Sequence, residues 1–147
     1  CKEEALAMLH GVIEDGRALS KLAQFVKAQG GDERMVYEPE LLPKASTVTL
    51  VEAPCDGYVR RILCDEVGIC SLILGGGRSR KEDIIDLSVG IVLDKKVGDR
   101  VKKGEPLAYI HSNGEDKRTA CEERLLKAYE IGPERRQEGP VIRGTLK

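Results

Sequence analysis

Apolar positions three and four residues apart mark the opening of the chain as helical. Ala5, Leu6, Leu9, Val12 and Ile13 keep that spacing until Asp15-Gly16 interrupts it. Leu19, Leu22, Ala23 and Val26 repeat it, with Ser20 and Lys21 on the other side, and Gly30-Gly31 closes the second helix. Two amphipathic helices of about a dozen residues do not bury their apolar faces alone. Leu6, Leu9, Leu19 and Leu22 are therefore expected to face helices that lie outside these residues.

Pro39 and Pro43 bracket an irregular connector, and the period changes to two beyond it. The expected organisation is a helical segment over 1–31, a connector over 32–46 and an α+β domain over 47–147. Val48 and Leu50 lead into a turn at Ala53-Pro54-Cys55-Asp56-Gly57, and Tyr58 to Cys64 is rich in strand formers. Glu66 to Leu74 reads as a short helix closed by Gly75-Gly76-Gly77. A long strand is predicted from Ile85 to Leu93, with Ile85, Leu87, Val89, Ile91 and Leu93 on one face. Lys96 to Gly104 reads as a hairpin and Leu107 to Ile110 as a strand. Either Ser112 or Thr119 starts the last helix, since each has a glutamate three residues on. Its buried stripe is Cys121, Leu125, Ala128 and Tyr129, and a terminal strand is predicted around Val141-Ile142. The fold class is α+β, a largely antiparallel sheet with helices set to one side and a short helical segment before it.

Composition sharpens this picture. Aromatic residues make up 3% of the 147, with no Trp and one Phe, so the core must be aliphatic. Charged residues reach 33% yet cancel to a formal −1, which gives no electrostatic argument for nucleic acid or anionic lipid. No apolar run approaches the roughly 20 residues of a membrane-spanning helix, and no secretory leader opens the chain. A soluble cytoplasmic protein is expected. Cys1, Cys55, Cys64, Cys70 and Cys121 contain no CxxC pair, and with only His10 and His111 besides they offer no metal-ligand spacing. Reduced thiols, several of them buried, are the expectation. Cys1 stands directly before helical sequence, so the chain reads as a fragment.

Two stretches look like halves of one device. Ala53-Pro54-Cys55-Asp56-Gly57-Tyr58-Val59 resembles the opening strand of biotinyl and lipoyl carrier domains, and Val97 to Leu107 resembles their later hairpin. In the hairpin, Gly98 and Gly104 permit tight turns while Val97, Val101 and Leu107 point inward. The scaffold expected from this likeness is of the α/β-hammerhead or barrel-sandwich-hybrid kind. A carrier needs a lysine between methionines at a hairpin tip, but Met8 and Met35 both lie far upstream. A carrier or a stand-alone interaction module on the same scaffold is therefore the alternative reading.

Gly75-Gly76-Gly77-Arg78, followed by Ser79-Arg80-Lys81, is reminiscent of a phosphate loop. It lacks the Lys-Ser or Lys-Thr pair at the required spacing, and a strand rather than a helix is predicted after it. A helix-to-strand connection is the plainer reading, with Arg78 and Lys81 as candidate anion or interdomain contacts. Glu82, Asp83 and Asp86 read as a solvated charge run rather than an acid–base pair. His111 reads as a strand-end residue, and His10 carries no assigned role.

The ordered series is more specific than its parts. Gly75-Gly76-Gly77-Arg78, Lys81 through Ile91, Lys96 through Val101 and Gly104-Glu105-Pro106-Leu107 together resemble the carboxy-terminal region of pyrimidine nucleoside phosphorylases. Asp15-Gly16-Arg17-Ala18, Phe25-Val26 and Gln29-Gly30-Gly31-Asp32 are similar to the helical segment before that region. The resemblance implies a homodimeric parent enzyme in which a small helical domain and a larger α/β domain flank a cleft. It would join phosphate, as co-substrate, to the pentose of a pyrimidine nucleoside and release the free base. The family's phosphate loop, of GGVGDK type, and its base-gripping residues lie earlier in the chain and have no counterpart here. No catalytic residue, cofactor or metal is assigned, and the fragment alone is expected to be inactive.

Overall fold

The computed structural model describes residues 1–136 together with Ile142 and Gly144. Two compact units make up the chain, Cys1–Pro43 and Lys44–Lys147. In the first unit the helical spacing yields α1 (Lys2–Glu14) and α2 (Arg17–Ala28). Asp15 sets the break between them, accepting from Arg17 N at 3.0 Å and from Arg17 Nε at 2.8 Å. Short 3₁₀ turns over Glu33–Val36 and Pro39–Leu41 follow, the first capped by Asp32, which accepts from Arg34 N. Leu6, Met8, Leu9, Ile13, Leu19, Leu22 and Phe25 are all exposed, and Ala23 is the one buried residue of this unit.

The second unit is α+β, with two three-stranded antiparallel sheets and two helices around an aliphatic core. Its strands are β1 (Thr47–Glu52), β2 (Gly57–Ile62), β3 (Gly90–Leu93), β4 (Arg100–Val101), β5 (Pro106–Ser112) and β6 (Tyr129–Gly132). One sheet runs β1-β5-β3 and the other β4-β2-β6. The helices α3 (Cys64–Leu74) and α4 (Glu115–Ala128) supply Cys70, Leu74, Cys121 and Leu125 to one cluster. Val51, Val59, Val101, Leu107 and Ile110 from both sheets join them there.

Residues 53–59 and 97–107, the two stretches read as halves of one device, pair directly. Ala53 N donates to Glu105 O at 2.8 Å and Gly104 N to Ala53 O at 2.9 Å. Further along, Gly98 N donates to Val59 O at 2.8 Å and Val59 N to Asp99 O at 2.9 Å. The hairpin turns are copies of one unit. In Lys96-Val97-Gly98-Asp99 and in Lys102-Lys103-Gly104-Glu105 the fourth residue's N–H donates to the first residue's carbonyl. The fourth carboxylate in turn accepts from the first N–H, at 2.8 Å for Asp99 and 3.1 Å for Glu105. Gly98 and Gly104 hold φ of 94° and 86°, which the third position of such a turn demands. Val101 and Leu107 point into the core as expected, whereas Val97 is only partly buried.

Four expectations need correction. The strand predicted over Ile85–Leu93 is only Gly90–Leu93, because the Asp86 carboxylate accepts from Ser88 N and bends the chain. Ile84 and Leu87 are consequently left outside, the first 93% exposed. Neither Ser112 nor Thr119 starts the last helix: Ser112 is the buried end of β5, and Thr119 Oγ1 bonds Glu115 O one turn back inside α4. Gly114 occupies the cap position instead. Tyr129 does not extend the helical stripe but opens β6, a strand paired with β2 that the pattern did not reveal. Finally, α3 begins at Cys64 rather than Glu66. Of the terminal strand predicted around Val141-Ile142, Val141 lies outside the described residues.

Tyr129 is a junction. Its hydroxyl lies 3.2 Å from Leu107 O and 3.3 Å from Lys95 O, joining the hairpin to the end of α4. Nearby, a Cβ at Gly57 would lie 2.8 Å from Gly132 O and 2.8 Å from Ile131 Cγ2. Gly57→Ala should therefore push β2 and β6 apart and destabilise the domain by about 2 kcal/mol. Urea unfolding followed by circular dichroism measures this, and an unchanged midpoint would show that the approach is not limiting.

Candidate functional site

The candidate loop between α3 and β3 is held from inside by its aspartates. Gly75 ends α3 with φ of 103°, and the N–H groups of Gly75 and Gly76 return to Leu72 O and Ser71 O. These donors close the carboxyl end of a helix, where the helix dipole is negative, the opposite of a phosphate cradle. Asp83 Oδ2 accepts from Ser79 N at 2.9 Å and from Arg80 N at 2.8 Å. The loop's own carboxylate thus occupies the donors that an anion would use.

Asp86 anchors the second half of the loop. It accepts from Ser88 Oγ at 2.6 Å, from Ser88 N at 2.9 Å and from Asn113 Nδ2 at 2.8 Å. These bonds, led by the Ser88 hydroxyl and helped by the Lys117 charge, hold the Asp86 carboxyl below the ordinary carboxylate range. Asn113 also donates to Ser88 Oγ at 2.8 Å and accepts from Ser46 N at 2.7 Å. One asparagine therefore ties the loop to the start of β1 and to the entry of α4. The reading of residues 82–86 as a solvated charge run holds for exposed Glu82 but not for Asp83 and Asp86. The spacing Asp86-x-Ser88, typical of a side-chain-to-backbone turn, was the available signal. Nothing local pointed to Asn113.

A shallow recess of about 250 Å³ lies beside Asp86 and Asn113, walled by the first turn of α4. Glu115 and Asp116 occupy that turn and put negative charge at the positive end of the helix dipole, while the Glu115 carboxylate accepts from Arg118. Arg78 and Lys81 sit in the loop with exposed side chains. His111 lies in β5 opposite Val48 and Gly90, and His10 is exposed on α1. Among the described residues no three of His, Cys, Asp and Glu are grouped to hold a metal ion. None of their helices is long and apolar enough to cross a membrane.

The buried thiols belong to the helix interface. Cys70 Sγ on α3 contacts Cys121 O on α4 at 3.6 Å, and both residues are fully buried. Beside them Glu66 Oε2 lies 2.6 Å from Arg124 Nε, an ion pair off the hydrogen-bond axis. Burial raises both thiols, Cys121 to about 12 with help from neighbouring Cys70. They are packing groups, not nucleophiles.

The second unit is thus an antiparallel α+β domain whose polar clusters tie its own loops together. The family model for the pyrimidine nucleoside phosphorylase C-terminal domain matches residues 58–132, and the chain belongs to that family. It is 49% identical over 114 residues to the pyrimidine-nucleoside phosphorylase of Staphylococcus aureus strain bovine RF122 / ET3-1. The same enzyme of strain USA300 is equally similar over the same length. In each case 78% of this chain is covered but only 26% of the relative, so the chain spans about a quarter of the relatives' length.

Exposed Cys1, Cys55 and Cys64 should react with a thiol reagent in the native protein, and Cys70 and Cys121 only after unfolding. A fast count of five in native buffer would refute the burial of the pair. The same pair makes stability pH-dependent. Both thiols keep their protons in the fold at a pH where the unfolded chain releases them near 9. The thiols' contribution to stability should therefore be constant below about pH 9 and be lost as pH rises toward 12. Urea midpoints across that range test the sign; Cys70→Ala combined with Cys121→Ala should shrink the fall and leave the part due to Tyr129, whose hydroxyl burial raises to about 12.

Proposed function

We propose that the chain is the non-catalytic scaffold domain of a pyrimidine nucleoside phosphorylase. The parent enzyme transfers the pentose of a pyrimidine nucleoside to phosphate, its co-substrate, and releases the base. The match of residues 58–132 to the C-terminal domain of that family carries this reading. In the proposed reaction phosphate attacks the anomeric carbon while positive groups elsewhere in the parent stabilise charge leaving on the base. This domain forms an outer wall of the larger α/β part, whose rigid-body closure over the cleft completes the site. The exposed leucines of α1 and α2 then pack against preceding helices of the same parent, which works as a cytoplasmic homodimer in nucleoside salvage. The helical segment 1–31, the connector 32–46 and the domain 47–147 are its successive parts.

The loop that Asp83 and Asp86 stiffen presents exposed Arg78 and Lys81 beside outward-facing Ile84 and Leu87. We assign these two basic side chains to contacts with the preceding part of the parent or with an anion bound there. The pairing of Ala53 with Gly104 and Glu105 also fits a carrier scaffold, but no lysine stands between methionines to bear a prosthetic group.

The pure 147-residue chain should release no uracil from uridine and no thymine from thymidine in phosphate buffer. The parent including the preceding region should release base only when phosphate is present. Base release by the fragment above the blank would overturn the scaffold reading. Arg78→Ala with Lys81→Ala should leave the melting temperature of the fragment unchanged, both side chains being exposed. In the parent the pair should lower kcat/KM about tenfold, the loss of roughly one charge-assisted hydrogen bond. Unchanged kinetics would remove the two residues from the mechanism.

A further inference from the structure

The β1-β5-β3 sheet has one face turned into the core and one turned out. Thr49 and Val51 of β1, Ala108, Ile110 and Ser112 of β5, and Ile91 and Leu93 of β3 lie on the inner side, from partly to fully buried. On the outer side the register sets Val48, His111 and Gly90 in one row and Leu50, Tyr109 and Val92 in the next. Val48 and Val92 are each 53% exposed, and Leu50 is 38% exposed. No Lys, Arg, Asp or Glu stands in either row, although 33% of the chain is charged.

The edge is equally unguarded. Among the described residues β1 pairs on one side only, with β5. Thr47 to Val51 hold no charge and no proline to deter a further strand. A contiguous uncharged face bordered by an open β-branched edge marks an interaction surface.

We infer that this outer face, from Val48 and Leu50 across Tyr109 to Val92, docks the preceding part of the same parent chain. The inference rests on the reading of the chain as a carboxy-terminal domain. The length outside the match names the occupant. The matched segment is 26% of each relative, and a C-terminal domain has the remaining three quarters before it. That covering chain is in every parent molecule at high effective concentration, so an apolar face needs no charged guard against other partners. The contact is aliphatic, with the Tyr109 ring at its centre and the Gly90 position leaving room for an incoming side chain.

Single Val48→Cys and Val92→Cys variants test this, each in the 147-residue chain and in the full parent. Both sites are half exposed, so an unchanged melting temperature is expected, and peptide mapping separates the new thiol from Cys1, Cys55 and Cys64. Alkylation at 48 and 92 should be about tenfold or more slower in the parent than in the fragment. Equal rates in a parent that still shows phosphate-dependent base release would overturn the docking face and leave the phosphorylase reading intact. A parent without that activity would overturn the reading itself, and the inference with it. Protection in the fragment that grows with its concentration would assign the face to a second copy and sink the proposal.

Discussion

Everything in the second unit depends on the hydrogen bonds that join residues 53–59 to residues 98–105. The chain changes sheet at every connection between strands, without a helix between them at the corner after β1 and on either side of β4. Each change leaves backbone donors and acceptors without a ladder, at the place where two small sheets must meet. Ala53 with Gly104 and Glu105, and Val59 with Gly98 and Asp99, satisfy those groups with one another. The sheets are thereby held at the distance that lets Val51, Val59, Val101 and Leu107 share one core. With so few aromatic side chains, that core relies on close aliphatic packing, and truncating a residue such as Leu107 belongs to the range of about 2–5 kcal/mol.

The elements legible in the sequence are those specified by local chemistry. Helical spacing located α1 and α2, and Gly98 and Gly104 located the hairpin, because helix period and turn geometry act within a few residues. The rest was set by distant partners. Residues Ile85, Leu87 and Val89 alternate like a strand, yet Asp86 captures Ser88 and the alternation becomes a bent loop. Tyr129 looked like the next position of a helical stripe. Its hydroxyl instead reaches Leu107 O, and its backbone pairs with Ile62, so tertiary contacts end α4 one residue before it. Asn113 could not be singled out in advance, since its importance lies in Ser46 and Asp86 meeting there.

The same division explains why the candidate site was only partly visible. A glycine run followed by basic residues implies an anion loop only if the backbone N–H groups are free, and that depends on what the neighbouring carboxylates do. Here Asp83 and Asp86 turn inward to the loop, whereas Arg78, Lys81, Ile84 and Leu87 stay on the outside. The loop is braced from within and carries a mixed apolar and basic outer surface.

The pairing of β1 with β5 has a consequence for how the chain is made. Ser46 and Asn113, at one end of that ladder, are 67 positions apart. On the ribosome β1 emerges long before its partner, and it waits unpaired until β5 has left the exit tunnel. For that interval a β-branched strand stands open on both edges. The pace of translation through residues 53–112 therefore sets how long a growing chain carries two open edges on β1 instead of the one that the finished fold keeps.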